Sequence, residues 1–427
     1  MLKKLPLKFW FFATSQLISN LADGMVIIII TLLTSRITNS PSIMGIVIAA
    51  LGLPWFLFSL FAGPIIDQKG AYHVIKHANL ARGMIFGIFI VLVVLNLFNI
   101  YVLVLFAFLL GVFEMLSDNS YSVMLPEIIN SEFLEQANSV TSTAEIVTNK
   151  FFGINLGAFL LGISTIIALT INSVLFLLSV LFLVLTFRWN AKKKSFLQKV
   201  DEEQVKIIER KFNPNKGLKQ YINDILFGLS YIMKQKKLIL LVLMGFAWNY
   251  SLGVQRSFMV LYLKNQLNFT EQFFSLTLSI AGLGGIIGGL TVGFLIMKAG
   301  RFKVLALGLI LCVSQYFLRY TMVSGVTIIV AALFEGCADI YYNTIAVSYR
   351  QRVIPKEYLG RITTTLRFIL IGSISLGSIT GGFVAEVVNY QILGTILGAV
   401  IASVGIISLT LMKDIEEPKS VELCTDN

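Results

Sequence analysis

Charged residues are scarce in this chain of 427 residues: Asp, Glu, Lys and Arg together make up only 13% of it. A soluble domain has about 25% of these residues. Apolar residues reach 56%, and the mean hydropathy is +0.82. Both a water-soluble globular enzyme and a disordered protein are excluded, because so little charge cannot solvate so much apolar side chain. The composition is that of a membrane protein.

Cysteine and histidine are also rare, with three Cys and two His in the chain. Cys312, Cys337 and Cys424 form no CxxC pair and no cluster with His73 or His77, so neither a metal site nor a disulfide framework is indicated. The sequence also lacks the GxxxxGK[ST] and HExxH motifs. We therefore predict that the chain is not an enzyme, has no P-loop of its own for ATP, and needs no cofactor beyond an ion gradient.

Long apolar runs fill most of the chain, and they do not alternate with period two as the strands of a membrane barrel do. Once the polar stretches 188–236 and 413–427 are set aside, the remainder accommodates about twelve spans of roughly 30 residues, connections included. We predict an all-α membrane protein. The predicted spans are 9–34, 43–66, 73–97, 101–125, 138–162, 164–187, 238–262, 273–297, 303–323, 326–349, 364–387 and 390–412.

Basic residues outnumber acidic ones, 34 to 23, and their position decides what this excess means. The loops on one side carry little beyond Arg36 and Lys264. The basic residues assigned to the opposite, cytoplasmic side are those of the run 188–237 together with Lys69, Lys76, Arg82, Lys298, Arg301, Lys303, Arg350, Arg352, Lys356 and Arg361. This asymmetry follows the positive-inside rule. It predicts a multi-pass protein of the lipid bilayer with both termini in the cytoplasm and no nucleic-acid partner.

The long polar segment divides the chain into halves that resemble each other. The predicted domains are a six-helix bundle at 1–187, a basic cytoplasmic linker at 188–237, a second bundle at 238–412 and a tail at 413–427. The matching patterns are Asn20…Gly24 with Asn249…Gly253, Gly63…Gly70 with Gly293…Gly300, Phe113-Glu114…Asp118 with Phe334-Glu335…Asp339, Glu132 with Glu357, and Gly157 with Gly382. Their common order argues for duplication, and two parallel six-helix repeats are a transporter architecture.

The loop after span 2 resembles the signature of the major facilitator superfamily, Gly-x-x-x-Asp-Arg/Lys-x-Gly-Arg/Lys. It reads Gly63-Pro-Ile-Ile-Asp67-Gln-Lys69-Gly70, with the basic residue displaced by one position and no basic pair after Gly70. The resemblance implies that Asp67 contacts the start of span 11 in the outward-open state, with Arg361 assisting. Gly63, Asp67, Lys69, Gly70 and Arg361 are therefore candidate gating residues.

Three stretches are similar to the bacterial efflux branch that includes macrolide exporters and the enterobactin exporter. They are 19–24 in span 1, 125–138 after span 4 and 351–361 before span 11. Two departures leave proton coupling open. Gly153-Ile154 replaces the Gly-Pro that is frequent in span 5 of that branch, and span 4 has acids where many drug–proton antiporters have Arg.

Ionisable residues within the spans are candidates for function, because each costs about 2.5–3.5 kcal/mol to insert. Asp23 is expected to face a cavity and bind a proton, a cation or a cationic substrate, or instead to join two helices. Glu114 and Asp118 are four residues apart and share one helix face. Because two carboxylates so close should not both ionise, such a pair could carry a proton.

Glu335 and Asp339 repeat this pair in the second half. The alternative for both pairs is a salt bridge to Arg82, Arg319 or Arg256, which would make the acids structural. Arg256 and Arg367 are the main basic candidates for neutralising an acid or binding an anionic group.

Glycines at four-residue spacing predict close helix contacts. They are Gly285, Gly289 and Gly293 in span 8, and Gly377 and Gly381 in span 11. Such faces suit the rocking of two bundles, with homodimerisation as the alternative.

The sequence thus predicts a monomeric secondary transporter of the bacterial plasma membrane. It would export an amphipathic small molecule, such as a macrolide or a siderophore, by proton or cation antiport with alternating access. The alternatives are a uniporter or importer of a small solute, a membrane sensor or scaffold without transport, and a pump subunit that needs a separate ATPase.

Overall fold

The computed structural model describes residues 5–129, 133–188 and 218–412. Within these residues twelve helices are long and apolar enough to cross a membrane, which confirms the all-α architecture. The spans, numbered 1 to 12 in order, are Leu7–Ile37, Pro41–Lys69, Ala71–Val94, Ile100–Ile128, Leu134–Ile163 (with a π-helix at Ile146–Gly153), Thr165–Arg188, Lys236–Leu261 (continued by a π-helix at Tyr262–Gln266), Glu271–Ala299, Arg301–Tyr320, Gly325–Val353, Lys356–Val387 and Tyr390–Leu411.

The described part of the predicted linker contains a further helix, Leu218–Lys234, which we call the linker helix. The sequence predicts only a polar connection here, because the many lysines of 188–237 hide the helical spacing of the apolar residues at its end. Residues 189–217 and 413–427 lie outside the described residues, so the predicted domain boundaries stay predictions.

The chain divides into two compact units. Unit 1 comprises Met1–Asn39, Ala50–Ile222 and Thr270–Ser275, and unit 2 comprises Ser40–Ala49, Asn223–Phe269 and Leu276–Asn427. In unit 1, span 1 packs against spans 5 and 6, and span 3 packs against spans 4 and 6. In unit 2, span 7 packs against spans 11 and 12, and span 9 packs against spans 10 and 12. The same pairings therefore recur six helices later, as duplication predicts.

Two short turns separate neighbouring spans at glycines of the repeated loop motif. Gly70, between spans 2 and 3, has φ 78° and ψ 136°, and Gly300, between spans 8 and 9, has φ 84° and ψ 160°. Side chains with a Cβ rarely adopt such a conformation. The sequence match between Gly63…Gly70 and Gly293…Gly300 thus marks the same backbone requirement in each half.

We expect Gly70→Ala and Gly300→Ala each to lower the free energy of unfolding by about 1–3 kcal/mol, because alanine is strained at these angles. Gly87→Ala is the matched control. Gly87 lies within the helix of span 3, and nothing is within 4 Å of a Cβ added there. It should be neutral or stabilising, since alanine favours a helix. Thermal unfolding of the purified variants in detergent measures the difference, and equal stability of all three variants would contradict it.

Close helix crossings lie at glycines in both units. In unit 2, a Cβ on Gly377 would overlap the carbonyl oxygen of Tyr250, and one on Gly381 would lie 2.5 Å from the Cα of Val254. The two predicted glycines of span 11 therefore face span 7. In unit 1 the equivalent crossing of spans 1 and 5 uses Gly153, whose added Cβ would lie 2.6 Å from the carbonyl oxygen of Leu21 and 2.9 Å from the Cα of Gly24.

The glycine face predicted for span 8 lies only partly at a helix contact in the structure, so its role in rocking stays a prediction. No atom lies within 4 Å of a Cβ added at Gly289 or Gly293, and at Gly285 the nearest is an ordinary contact at 3.8 Å with Ile340. The close approach to span 10 is made by Gly284 and Gly288, and the backbone nitrogen of Gly285 lies 2.6 Å from a Cβ added at Gly336 in span 10. Span 8 contains six glycines, so spacing alone identified more than one four-residue series and could not tell which one faces a neighbour.

Candidate functional site

An ion pair in the interior of unit 1 joins spans 1 and 3. The Nη1 of Arg82 lies 2.5 Å from the Oδ1 of Asp23, and the two residues are only 1% and 3% exposed. The loop-charge pattern assigns Arg82 to the cytoplasmic side, but it lies in the middle of span 3 with its guanidinium turned into the bundle. The pair is formed because neither charge could stay unpaired in so apolar an interior.

Polar groups from the same two spans complete the surroundings of Arg82. Its Nη2 donates to the Oγ of Ser19 at 3.1 Å and to the Oδ1 of Asn79. The ring of Phe176 in span 6 covers the guanidinium, with 4.4 Å from the Cζ to the ring centroid. The geometry holds Arg82 from three sides. Even so, its Nε and the Oδ2 of Asp23 have no hydrogen-bond partner within the described part of the chain.

Asn79 connects the ion pair to a buried polar network between spans 1, 3, 4 and 6. Its Nδ2 donates to the Oγ of Ser179 at 2.9 Å and to the hydroxyl of Tyr121 at 3.4 Å. The Oγ of Ser15 lies 2.8 Å from the Tyr121 hydroxyl. These buried hydroxyls and amides fix the side chain of Asn79, and Asn79 in turn helps to fix the orientation of Arg82.

Glu114 and Asp118 lie one helical turn apart in span 4, and both are partly exposed. The charge of Glu114 interacts with those of Asp23, Asp118 and Arg82. Asp118 likewise interacts with Asp23 and Arg82. The structure therefore brings together the three acidic candidates of the first half. Both acids also interact with the carboxylate of Glu145. Within the described residues, this region of unit 1 therefore groups four carboxylates with the positive charge of Arg82 and is acidic.

The second acid pair has a different environment in unit 2. Glu335 forms a salt bridge in which the Nη1 of Arg319 lies 2.9 Å from its Oε2. Asp339 accepts a hydrogen bond from the Nδ2 of Asn343 at 2.8 Å. The exposed Arg256 of span 7 also interacts electrostatically with both acids. Salt bridging, the alternative predicted for these residues, is thus observed for Glu335.

The remaining candidates are not part of either cluster. Arg367 is exposed in span 11, and its charge interacts with that of Arg350. The side chains of Asp67 and Arg361 lie outside the described residues, so their predicted gate contact stays a prediction. Lys69 is exposed at the last turn of span 2.

Sequence reasoning missed Asn79, Ser19 and Phe176. Polar residues such as Ser and Asn are common in membrane helices, and no spacing rule connects positions that meet only after folding. Arg82 carried a usable signal, because it is an ionisable residue twelve positions into an apolar helix.

Comparison with known proteins agrees with this architecture. The sequence profile of the Major Facilitator Superfamily matches residues 12–369, with a second match over 241–423. No curated protein matches the chain. These matches support the superfamily and not the predicted macrolide-efflux and enterobactin-exporter branch.

Similar solved structures include three transporters. A mutant of the nucleoside transporter NupG is 13% identical, with 95% of this chain and 99% of that chain covered and a TM-score of 0.71. A bacterial homologue of the iron transporter ferroportin, in an inward-facing state, is 14% identical over 96% and 99% with a TM-score of 0.65. A mutant of the peptide transporter POT is 12% identical over 96% and 95% with a TM-score of 0.68. At these identities the likeness shows the fold alone.

Proposed function

Since the chain belongs to the Major Facilitator Superfamily, whose members are secondary transporters of small molecules and not enzymes, we propose that it exports an amphipathic small molecule by proton or cation antiport. The substrate would be drug-like, such as a macrolide, or a siderophore. The chain would act as a monomer in a bacterial plasma membrane, with both termini in the cytoplasm. The acidic region of unit 1 would bind the coupling ion.

The difference between the two repeats carries this proposal. Matching Gly24 with Gly253 and Gly70 with Gly300 aligns Asp23 with Leu252 and Arg82 with Cys312. The second half therefore forms the same helix pairings without a charge pair at these positions. Because packing alone does not require the Asp23–Arg82 pair, its cost in an apolar interior favours a role in transport.

The two acid pairs also differ between the repeats, in the arginines that interact with them. The position that aligns with Arg319 is Phe89, and the one that aligns with Arg256 is Ile27. Glu114 and Asp118 thus lack the two arginines that interact with Glu335 and Asp339. A pair of acids with so little neutralisation can exchange a proton or a cation during a cycle, and the Asp23–Arg82 pair next to it can respond to that exchange.

We expect Glu114→Gln and Asp118→Asn to abolish substrate accumulation driven by an imposed pH gradient, because neither amide can take up or release the coupling proton. The measurement uses proteoliposomes of the purified protein and a fluorescent or radiolabelled macrolide. Counterflow of labelled against unlabelled substrate, without any gradient, should persist if the acids couple transport rather than fold the protein.

Asp23→Asn belongs to the same series. Asp339→Asn in unit 2 is the matched acid-to-amide control, which keeps an oxygen to accept from Asn343 and should retain pH-driven accumulation. Wild-type accumulation in all three unit 1 variants would contradict the coupling assignment. Counterflow without any gradient-driven accumulation by the wild type would instead favour a uniporter. No substrate movement at all would favour a sensor or scaffold.

A further inference from the structure

The linker helix has one face that docks on unit 2. Ile232 on this face is 3% exposed and belongs to the core that includes residues from spans 7, 9, 10 and 11. The hydroxyl of Tyr231 donates to the carbonyl oxygen of Val353 at 3.3 Å, and the rings of Phe227 and Tyr358 are 5.2 Å apart. These contacts fix the helix against the end of span 10 and the start of span 11.

A second face is apolar and exposed. Leu226, Leu229 and Met233 are 58%, 37% and 66% exposed. Their spacing of three and then four residues places them on a single stripe of the helix. The stripe lies away from Ile232, because a step of 100° per residue puts Met233 about 100° further around the helix. Three large apolar side chains on a single stripe are unfavourable in water.

A third face is polar. Ser230 and Lys234 are exposed, and a step of 100° per residue places them between the apolar stripe and Phe227. Lys236 is exposed two residues beyond Lys234. A helix with an apolar stripe, a polar stripe and lysines at its end has the character of helices that lie in a membrane interface.

Chain connectivity fixes the height of this helix. Gln235 alone separates the linker helix, which ends at Lys234, from span 7, which begins at Lys236. Because span 7 enters the membrane at once, the end of the linker helix lies at the bilayer surface.

We propose that the exposed apolar stripe of the linker helix inserts into the interface of the adjoining lipid leaflet, and that Lys234 and Lys236 bind the headgroups of anionic phospholipids. A lipid surface is the partner that fits both the apolar stripe and the two lysines. Acyl chains accept the apolar stripe, and negative headgroups complement the lysines. The docked face then connects the lipid surface to the ends of spans 10 and 11.

The test uses the full-length protein in liposomes, with a nitroxide label introduced at Met233→Cys or, as matched control, at Ser230→Cys. Cys312, Cys337 and Cys424 are first replaced by Ser. We expect the label at position 233 to be more accessible to oxygen than to a water-soluble nickel complex, and the label at 230 to show the opposite. Equal exposure of both labels to the nickel complex overturns the proposal. Broadening of the signal at 233 by a second copy also overturns it, since the stripe would then be a dimer contact.

The anionic-lipid part is tested with the same label in phosphatidylcholine vesicles, with and without a third of phosphatidylglycerol. Phosphatidylglycerol should raise the ratio of oxygen to nickel accessibility at position 233. Lys234→Gln combined with Lys236→Gln should remove that increase, because each lysine near an anionic surface strengthens binding about fivefold. An increase that persists in the double variant overturns the role of the two lysines. A ratio that does not respond to phosphatidylglycerol overturns the preference for anionic lipid.

Discussion

Arg82→Ala is expected to destabilise the protein by about 3–5 kcal/mol and to abolish transport, because it leaves the carboxylate of Asp23 buried without its partner. Arg82 is 1% exposed and Asp23 3%, so water cannot replace the guanidinium without opening the bundle. Alanine also removes the group that lies against the ring of Phe176. Thermal unfolding in detergent and gradient-driven transport in proteoliposomes measure the two effects.

The double variant Asp23→Asn with Arg82→Gln separates folding from transport. It removes both charges and leaves two amides that can hydrogen-bond to their surroundings, so most of the lost stability should return. Gradient-driven transport should not return, because the charge pair itself is gone. Full transport in this double variant would show that the pair only holds spans 1 and 3 together.

The twelve spans could be predicted from the sequence because an uncharged apolar run of 20 residues has few alternatives to a membrane helix. The linker helix could not be predicted in the same way. Its apolar residues divide between the docked face of Ile232 and the exposed stripe of Met233. The lysines around them lower the mean hydropathy of the segment. The other helix ends were predicted to within four residues, but span 11 begins at Lys356, eight residues before its predicted start at 364. Signals such as the cap at Asn99, whose Oδ1 accepts from two backbone N–H groups, mark some ends locally.

The candidate site was predicted in part for a related reason. Asp23, Glu114 and Asp118 attract attention as single residues, because a charge in a span is costly wherever its partner lies. The partner of Asp23 is 59 positions away, and the ring over Arg82 lies in span 6. Such pairings can be identified only in the folded structure. The neutralisation of Glu335 by Arg319 was among the predicted alternatives, but no local pattern distinguished it from Glu114, which occupies the matching position in the first half.

Gly24→Ala is expected to disrupt the crossing of spans 1 and 5 and to cost about 3 kcal/mol or more, because the new Cβ would overlap the backbone carbonyl of Asn149. A backbone carbonyl cannot rotate away as a side chain can, so the two helices must separate. Separation would also displace Asp23, the adjoining residue, and weaken its pair with Arg82. The loss of stability measured by thermal unfolding should therefore be larger than the loss that overpacking causes in a flexible core.

Gly253→Ala makes the same change at the crossing of spans 7 and 11, where the Cβ would overlap the carbonyl oxygen of Ile374. It should cost a similar amount of stability, yet it has no ion pair beside it. Gly289→Ala is the control, since nothing lies within 4 Å of its Cβ and alanine gains about 1 kcal/mol of helix propensity. Equal losses for Gly24→Ala and Gly253→Ala would mean that the ion pair tolerates helix separation. A larger loss at Gly24 would mean that helix packing and the charge pair of the first repeat depend on each other, as a site that moves with its helices requires.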